Sequence, residues 1–177
     1  HDYTISNNTW TEPVANALHS AHLMLQNIIN QTKATEYRCF LTGSNNFRNE
    51  VLPSYKAGRA PRPVLYPAIR EYLIDRWNAE VVDGMEADDA LGIAQTAAKL
   101  HETVICSIDK DLLMIPGEHY NFVTDIHQEI SETEGSLRFD KQMLTGDGVD
   151  NICGIKGLGP KTADKILDNC PEAQRLE

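Results

Sequence analysis

EVVDGMEADDALGIAQTAAKLHETVICSIDKD, residues 80–111, is the stretch on which the architecture turns. Glu80-Val81-Val82 reads as a short strand by its β-branched pair. Glu86-Ala87-Asp88-Asp89 follows at its end and opens a helix over 87–100, with Ala90, Leu91, Ala94, Ala97, Ala98 and Leu100 as an apolar stripe. Thr103–Ile108 is again β-branched and reads as a buried strand, closed by Asp109-Lys110-Asp111. Strand, acids, helix, strand, acids is the alternation of an α/β domain with a mostly parallel sheet flanked by helices. Ligands collect at the carboxyl ends of parallel strands, which is where both acidic clusters fall.

On the N-terminal side, Pro13–Asn30 reads as a helix, with Val14, Ala17, Leu18, Ala21, Leu25 and Ile28 at helical spacing. Arg38–Leu41 reads as a strand ending at Thr42-Gly43, Tyr66–Trp77 as a helix, and Tyr120–Thr124 as a further strand. Strand signals stop at Ser131. Gly146, Gly148, Gly154, Gly157 and Gly159 cluster beyond it and suggest a loop-and-helix appendage. The chain has 177 residues, 41% hydrophobic and 24% charged, ordinary values for a globular domain that folds without disulfide or metal. Four widely spaced cysteines make neither a zinc pattern nor a disulfide framework, so a reduced, cytoplasmic protein is expected. No apolar run approaches the ~20 residues of a membrane span.

The net charge is −10, which by itself argues against a polyanionic partner. Its distribution argues otherwise. Six basic residues lie between Arg48 and Arg76, and Lys156, Lys161 and Lys165 lie near the C-terminus. The acids gather in three clusters: Glu86, Asp88 and Asp89; Asp109 and Asp111; Asp147 and Asp150. A helix N-terminus favours acids, which is sufficient reason for any one pair. Seven carboxylates at one sheet edge would repel one another without cations. An all-oxygen set with no His or Cys suits Mg²⁺ or Mn²⁺, and a carboxylate-rich site for two such ions is the apparatus of phosphodiester hydrolysis. Gly154–Ala163, GIKGLGPKTA, has the form of a helix–hairpin–helix: Gly157 and Gly159 permit a tight turn, Pro160 opens the next helix, and exposed N–H groups with Lys161 and Lys165 suit phosphates. Beside a metal–phosphate site, Arg48, Lys56 and Arg59 can neutralise a scissile phosphate, and Tyr55 can stack on an unpaired base.

These segments resemble the structure-specific 5′-nucleases, the flap endonucleases and 5′–3′ exonucleases of phages and of bacterial family A DNA polymerases. The resemblance rests on Phe47-Arg48, Pro53–Arg59 (PSYKAGR), Gly84–Asp89 (GMEADD), Ser107–Asp111 (SIDKD), Leu144–Ile152 (LTGDGVDNI) and the glycine hairpin, in the family's order. It implies a PIN-like core over 1–130, a threading arch around 48–66, and a helical clamp over 131–177 carrying the hairpin. It implies metal ligation by Glu86, Asp88 and Asp89, by Asp109 and Asp111, and by Asp147 and Asp150. Lys56 and Arg59 would touch the scissile phosphate, and the hairpin would bind duplex backbone with a K⁺ ion. The implied partner is DNA with a duplex and a 5′ single-stranded end or flap, met by a monomer working beside replication proteins, with no membrane. Two departures are expected to matter. The family opens with a strand ending in Asp, and none precedes His1-Asp2-Tyr3; Thr42 also stands where many members carry Asp. The clamp is expected to be truncated. Rival readings are a non-catalytic helix–hairpin–helix DNA-binding module, a Toprim-type domain, and a PIN-type ribonuclease.

Overall fold

The computed structural model describes residues 4–7 and 10–170, with side chains from Val14 onward. In chain order the elements are β1 (Thr4–Asn7), β2 (Trp10–Pro13), α1 (Val14–Thr32), β3 (Phe40–Asn46), α2 (Phe47–Val51), α3 (Tyr66–Trp77), β4 (Glu80–Gly84), α4 (Ala87–Ala97) and β5 (Val104–Cys106). A 3₁₀ turn (Lys110–Met114), β6 (Gly117–Asn121), β7 (Ile126–Ile130), α5 (Glu132–Thr145), β8 (Gly146–Asp147), β9 (Ile152–Cys153) and α6 (Pro160–Asp168) follow. The expected features at His1-Asp2-Tyr3 and beyond Cys170 lie outside the described residues.

The chain divides into two units, one of residues 1–46 and 60–91, the other of residues 47–59 and 92–177, with α4 divided between them after Leu91. In the first unit β3 and β4 pair in parallel, Phe40 opposite Glu80 and Thr42 opposite Val82. Gly43 is required there: a Cβ would collide with the Val82 carbonyl and the Asp83 carboxylate. Helix α1 packs on α3, where Trp77 is buried with its ring 5.3 Å from His22 and 5.5 Å from Tyr37. α3 stops at Asn78, whose left-handed conformation lets its N–H close on the Leu73 carbonyl.

In the second unit β5, β6 and β7 form a sheet around Ile105, Tyr120 and Ile130, all buried. β5 pairs parallel to β6, and β6 antiparallel to β7. This corrects the mostly parallel sheet. Among the described residues two strand pairs are parallel and three antiparallel. The physical reason lies in the connections: only four residues, 122–125, join β6 to β7, too few for a crossover, so the chain must return antiparallel. The strand expected over 120–124 is β6, ending at Asn121. Asn121 turns the chain by accepting the Val123 and Thr124 N–H groups on its side chain. Strand pairing also continues past Ser131. Gly146 and Asp147 pair with Cys153 and Ile152, and no side chain fits at Gly146 or Gly154 where the two backbones meet. A capping box starts α5, with Ser131 and Glu134 satisfying each other's backbone N–H. The four cysteines are free, and burial pushes the Cys106 thiol up to about 11. No helix among the described residues is long and apolar enough to cross a membrane.

Candidate nuclease centre

In the first unit, the parallel pair β3–β4 delivers an acidic cluster at the start of α4. The Glu86 N–H donates to Asp89 Oδ2 at 2.9 Å, and the Ala87 N–H donates to the Thr42 hydroxyl at 3.0 Å. Both bonds satisfy amides that the first turn of a helix leaves without an intrahelical partner. Thr42, standing where many family members carry Asp, therefore ties β3 to the start of α4. Glu86 and Asp89 are half-buried, and Asp88 is exposed.

In the second unit, Ile108 leads out of β5 into Asp109, which caps the 3₁₀ turn by accepting the Asp111 N–H at 2.9 Å. Asp111 is half-buried. From the last turns of α5, the Gln142 amide donates to Asp111 Oδ1 at 3.3 Å and to Asp147 Oδ2 at 3.4 Å, bridging two carboxylates. Burial, and then the charges of Asp109 and Asp147, hold the Asp111 carboxyl above its ordinary range. Gln142 was not anticipated from the sequence; an uncharged amide inside a helix carries no motif. Its only signal is its place five residues before Asp147.

Asp150 keeps different company. Its Oδ1 accepts Arg59 Nη2 at 2.7 Å, and its Oδ2 accepts the hydroxyl of buried Tyr55 at 3.1 Å and lies 3.6 Å from Lys56 Nζ. Lys56 Nζ also stands 4.8 Å from the Tyr55 ring centre, and the Arg48 guanidinium lies 4.8 Å from the Phe47 ring in α2. Asp111 and Asp147 thus share one glutamine, with Asp109 holding the Asp111 backbone, while Asp150 answers the basic segment. Among the described residues no three His, Cys, Asp or Glu side chains are gathered as a metal-holding group. The donor chemistry still suits a hard cation: every candidate donor atom is oxygen, and Asp111 is burdened by neighbouring negative charge that a cation would offset.

The hairpin takes its expected turn. Gly157 has φ +82°, Gly159 caps α6, and Pro160 occupies its first turn. Ala163 and Leu167 are buried, whereas Lys161 and Lys165, one helical turn apart, are exposed on the other side. The segment before the hairpin is β9 rather than a helix, because its backbone pairs with β8.

Parallel pairing of β3 with β4 and of β5 with β6, with helices between and acids after β4 and β5, is the architecture of an α/β domain. Residues 3–145 match the family model of the 5′-3′ exonuclease N-terminal, resolvase-like domain, and the chain belongs to that family. It is 37% identical over 150 residues to the thermostable DNA polymerase I of Thermus aquaticus, covering 74% of this chain and 18% of the relative. It is 31% identical over 173 residues to the DNA polymerase I of Bacillus caldotenax, covering 86% of this chain and 20% of the relative. The chain therefore spans about a fifth of the length of these curated relatives. The fold is similar to that of T5 5′-exonuclease with divalent zinc bound, at TM-score 0.65 and 23% identity over 85% of this chain and 66% of that one. A bacteriophage T5 flap endonuclease in complex with DNA and metal ions is similar at TM-score 0.61 and 20% identity, over 88% of this chain and 66% of that one.

Proposed function

We propose that this chain is a divalent-metal-dependent 5′-nuclease that hydrolyses DNA phosphodiesters, acting as a 5′–3′ exonuclease or flap endonuclease on DNA with a duplex and a 5′ end or flap. The observation that carries the reading is the Asp111–Gln142–Asp147 bridge, with Asp111 held above its usual range, in a chain of the 5′-3′ exonuclease family. Glu86, Asp88 and Asp89 are assigned as one group of oxygen ligands, Asp109 and Asp111 as another, and Asp147 and Asp150 as a third. Mg²⁺ or Mn²⁺ held by such oxygens, two ions in all, would supply Lewis-acid stabilisation of phosphate charge and an acidified water. Lys56, Arg59 and Arg48 are assigned to the phosphate being cut, where fixed cations offset developing negative charge. Tyr55 is assigned to the same DNA-binding segment within an arch over 48–66. Gly157, Gly159, Lys161 and Lys165 are assigned to duplex backbone, with K⁺ at the hairpin, as part of a clamp over 131–177. The working form is assigned as a monomer, and replication proteins are the expected company.

The test is cleavage of a 5′-flap DNA, a recessed duplex and the corresponding RNA, in Mg²⁺, in Mn²⁺ and in EDTA. Asp111→Asn should cut single-turnover cleavage by about a hundredfold or more, with DNA affinity in Ca²⁺ little changed. DNA bound without cleavage under every metal would instead support the non-catalytic module. Cleavage confined to RNA would support the ribonuclease.

A further inference from the structure

Lys56 and Asn151 are far apart in sequence, and both adopt the left-handed backbone conformation, with φ +56° and +62°. Neither is glycine, and such residues persist there only where their surroundings over-determine them. Here each stands at one side of a two-way backbone clasp. The Lys56 N–H donates to the Asp150 carbonyl at 3.3 Å, and the Asn151 Nδ2 donates to the Ser54 carbonyl at 3.2 Å. The Ser54 carbonyl also accepts the Ala57 N–H, and the Lys56 carbonyl accepts the Arg59 N–H, so the turn over 54–59 is tied to this joint. Directly beside it the Asp150 carboxylate receives Tyr55, Lys56 and Arg59. The clasp therefore sets where both cationic side chains begin, and the carboxylate meets both of them.

We propose that Asn151 is a positioning residue for Lys56 and Arg59, mooring their segment to the Asp147–Asp150 loop. The proposal rests on the nuclease reading and deepens it. Asn151 touches no substrate; it acts by fixing the backbone from which the two cations reach.

Asn151→Gly is the informative change, because glycine accepts φ +62° and only the amide is removed. Asn151→Asp keeps a residue tolerant of this conformation but turns the donor into an acceptor facing the Ser54 carbonyl. Both variants should slow single-turnover cleavage of a 5′-flap DNA, by up to about a hundredfold if the cations are displaced by an ångström. Binding of the same DNA in Ca²⁺ and the melting temperature should change little. In a background lacking both cations, Lys56→Ala with Arg59→Ala, Asn151→Gly should add little further slowing, because all three changes disable one unit. Multiplied effects in the triple variant, or a normal rate in Asn151→Asp, would overturn the proposal. Amide hydrogen exchange across 54–59 reads the mooring without catalysis: protection should fall about tenfold in Asn151→Gly, and unchanged protection would equally overturn it. If the parent chain cleaves no DNA while that protection falls, the mooring stands and the nuclease reading fails.

Discussion

Among single residues, Thr42 and Gln142 show how neutral side chains organise charged ones. The Thr42 hydroxyl accepts the Ala87 N–H at the mouth of α4, in place of the backbone carbonyl that a first-turn amide lacks. Thr42→Val keeps the shape and removes the acceptor, so an amide withdrawn from water would go without a partner. Unfolding by urea should show a midpoint lowered by the equivalent of about 1–2 kcal/mol at unchanged slope. Gln142 works through donation. Its amide meets Asp111 and Asp147, carboxylates that repel each other and stand far apart along the chain. The family motifs expose the carboxylates to a reader of sequence, because acids in clusters are conspicuous. The amide between them is not, because glutamine on a helix is ordinary until its neighbour is known.

Among the elements, α6 separates two faces cleanly. Ala163 and Leu167 are buried, α6 packs on α5, and Lys141 of α5 pairs with Asp164 at 2.5 Å. Lys161 and Lys165 lie on the exposed face, where the proposed function places duplex backbone. Replacing both by Ala should weaken binding to all DNA sequences about equally and flatten log K against log salt by up to about 0.9 for each phosphate no longer neutralised. The melting temperature should hold, since neither lysine is part of the packed face. The sheet β5–β6–β7 carries a pH dependence of its own. Gln95 donates to the Pro116 and Glu118 carbonyls and accepts the Thr103 hydroxyl, and beside it His119 is buried, with Nε2 donating to the Ile115 carbonyl at 2.7 Å. Burial, foremost, and the charge of Arg138 hold the His119 imidazole below its ordinary range, against the Ile115 bond that raises it. The unfolded chain therefore takes up a proton at about pH 6.5 that the folded chain refuses, so stability is full above that pH and falls as the pH drops through it. Urea unfolding at pH 7.5 and 5.5 should show a smaller acid loss in His119→Gln than in the parent, because the glutamine has nothing to titrate.

For the chain as a whole, the acids that suit a cation also make its binding a source of stability. Mg²⁺ bound by the folded state and not by the unfolded one raises the melting temperature by mass action. The expected result is a rise that grows with millimolar Mg²⁺, exceeds that from NaCl of equal ionic strength, and is smaller in Asp111→Asn. A shift matched by NaCl would mark the acids as a solvated face. The α/β class, the helix of 66–77, a helix opening at 87, the acid clusters after β4 and β5, and the glycine turn before α6 were all legible from the order of residues alone, although the helix read over 87–100 ends at Ala97. Each is a local property: periodicity, a strand end, a proline after a glycine. Other features came from packing in three dimensions. β7 runs antiparallel because a four-residue connection cannot cross over. Thr42, standing where many family members carry Asp, became an acceptor for α4. Asp150 turned toward Tyr55, Lys56 and Arg59, more than ninety residues away. Pairings at that distance follow from which surfaces pack together, and spacing along the chain carries no record of that packing.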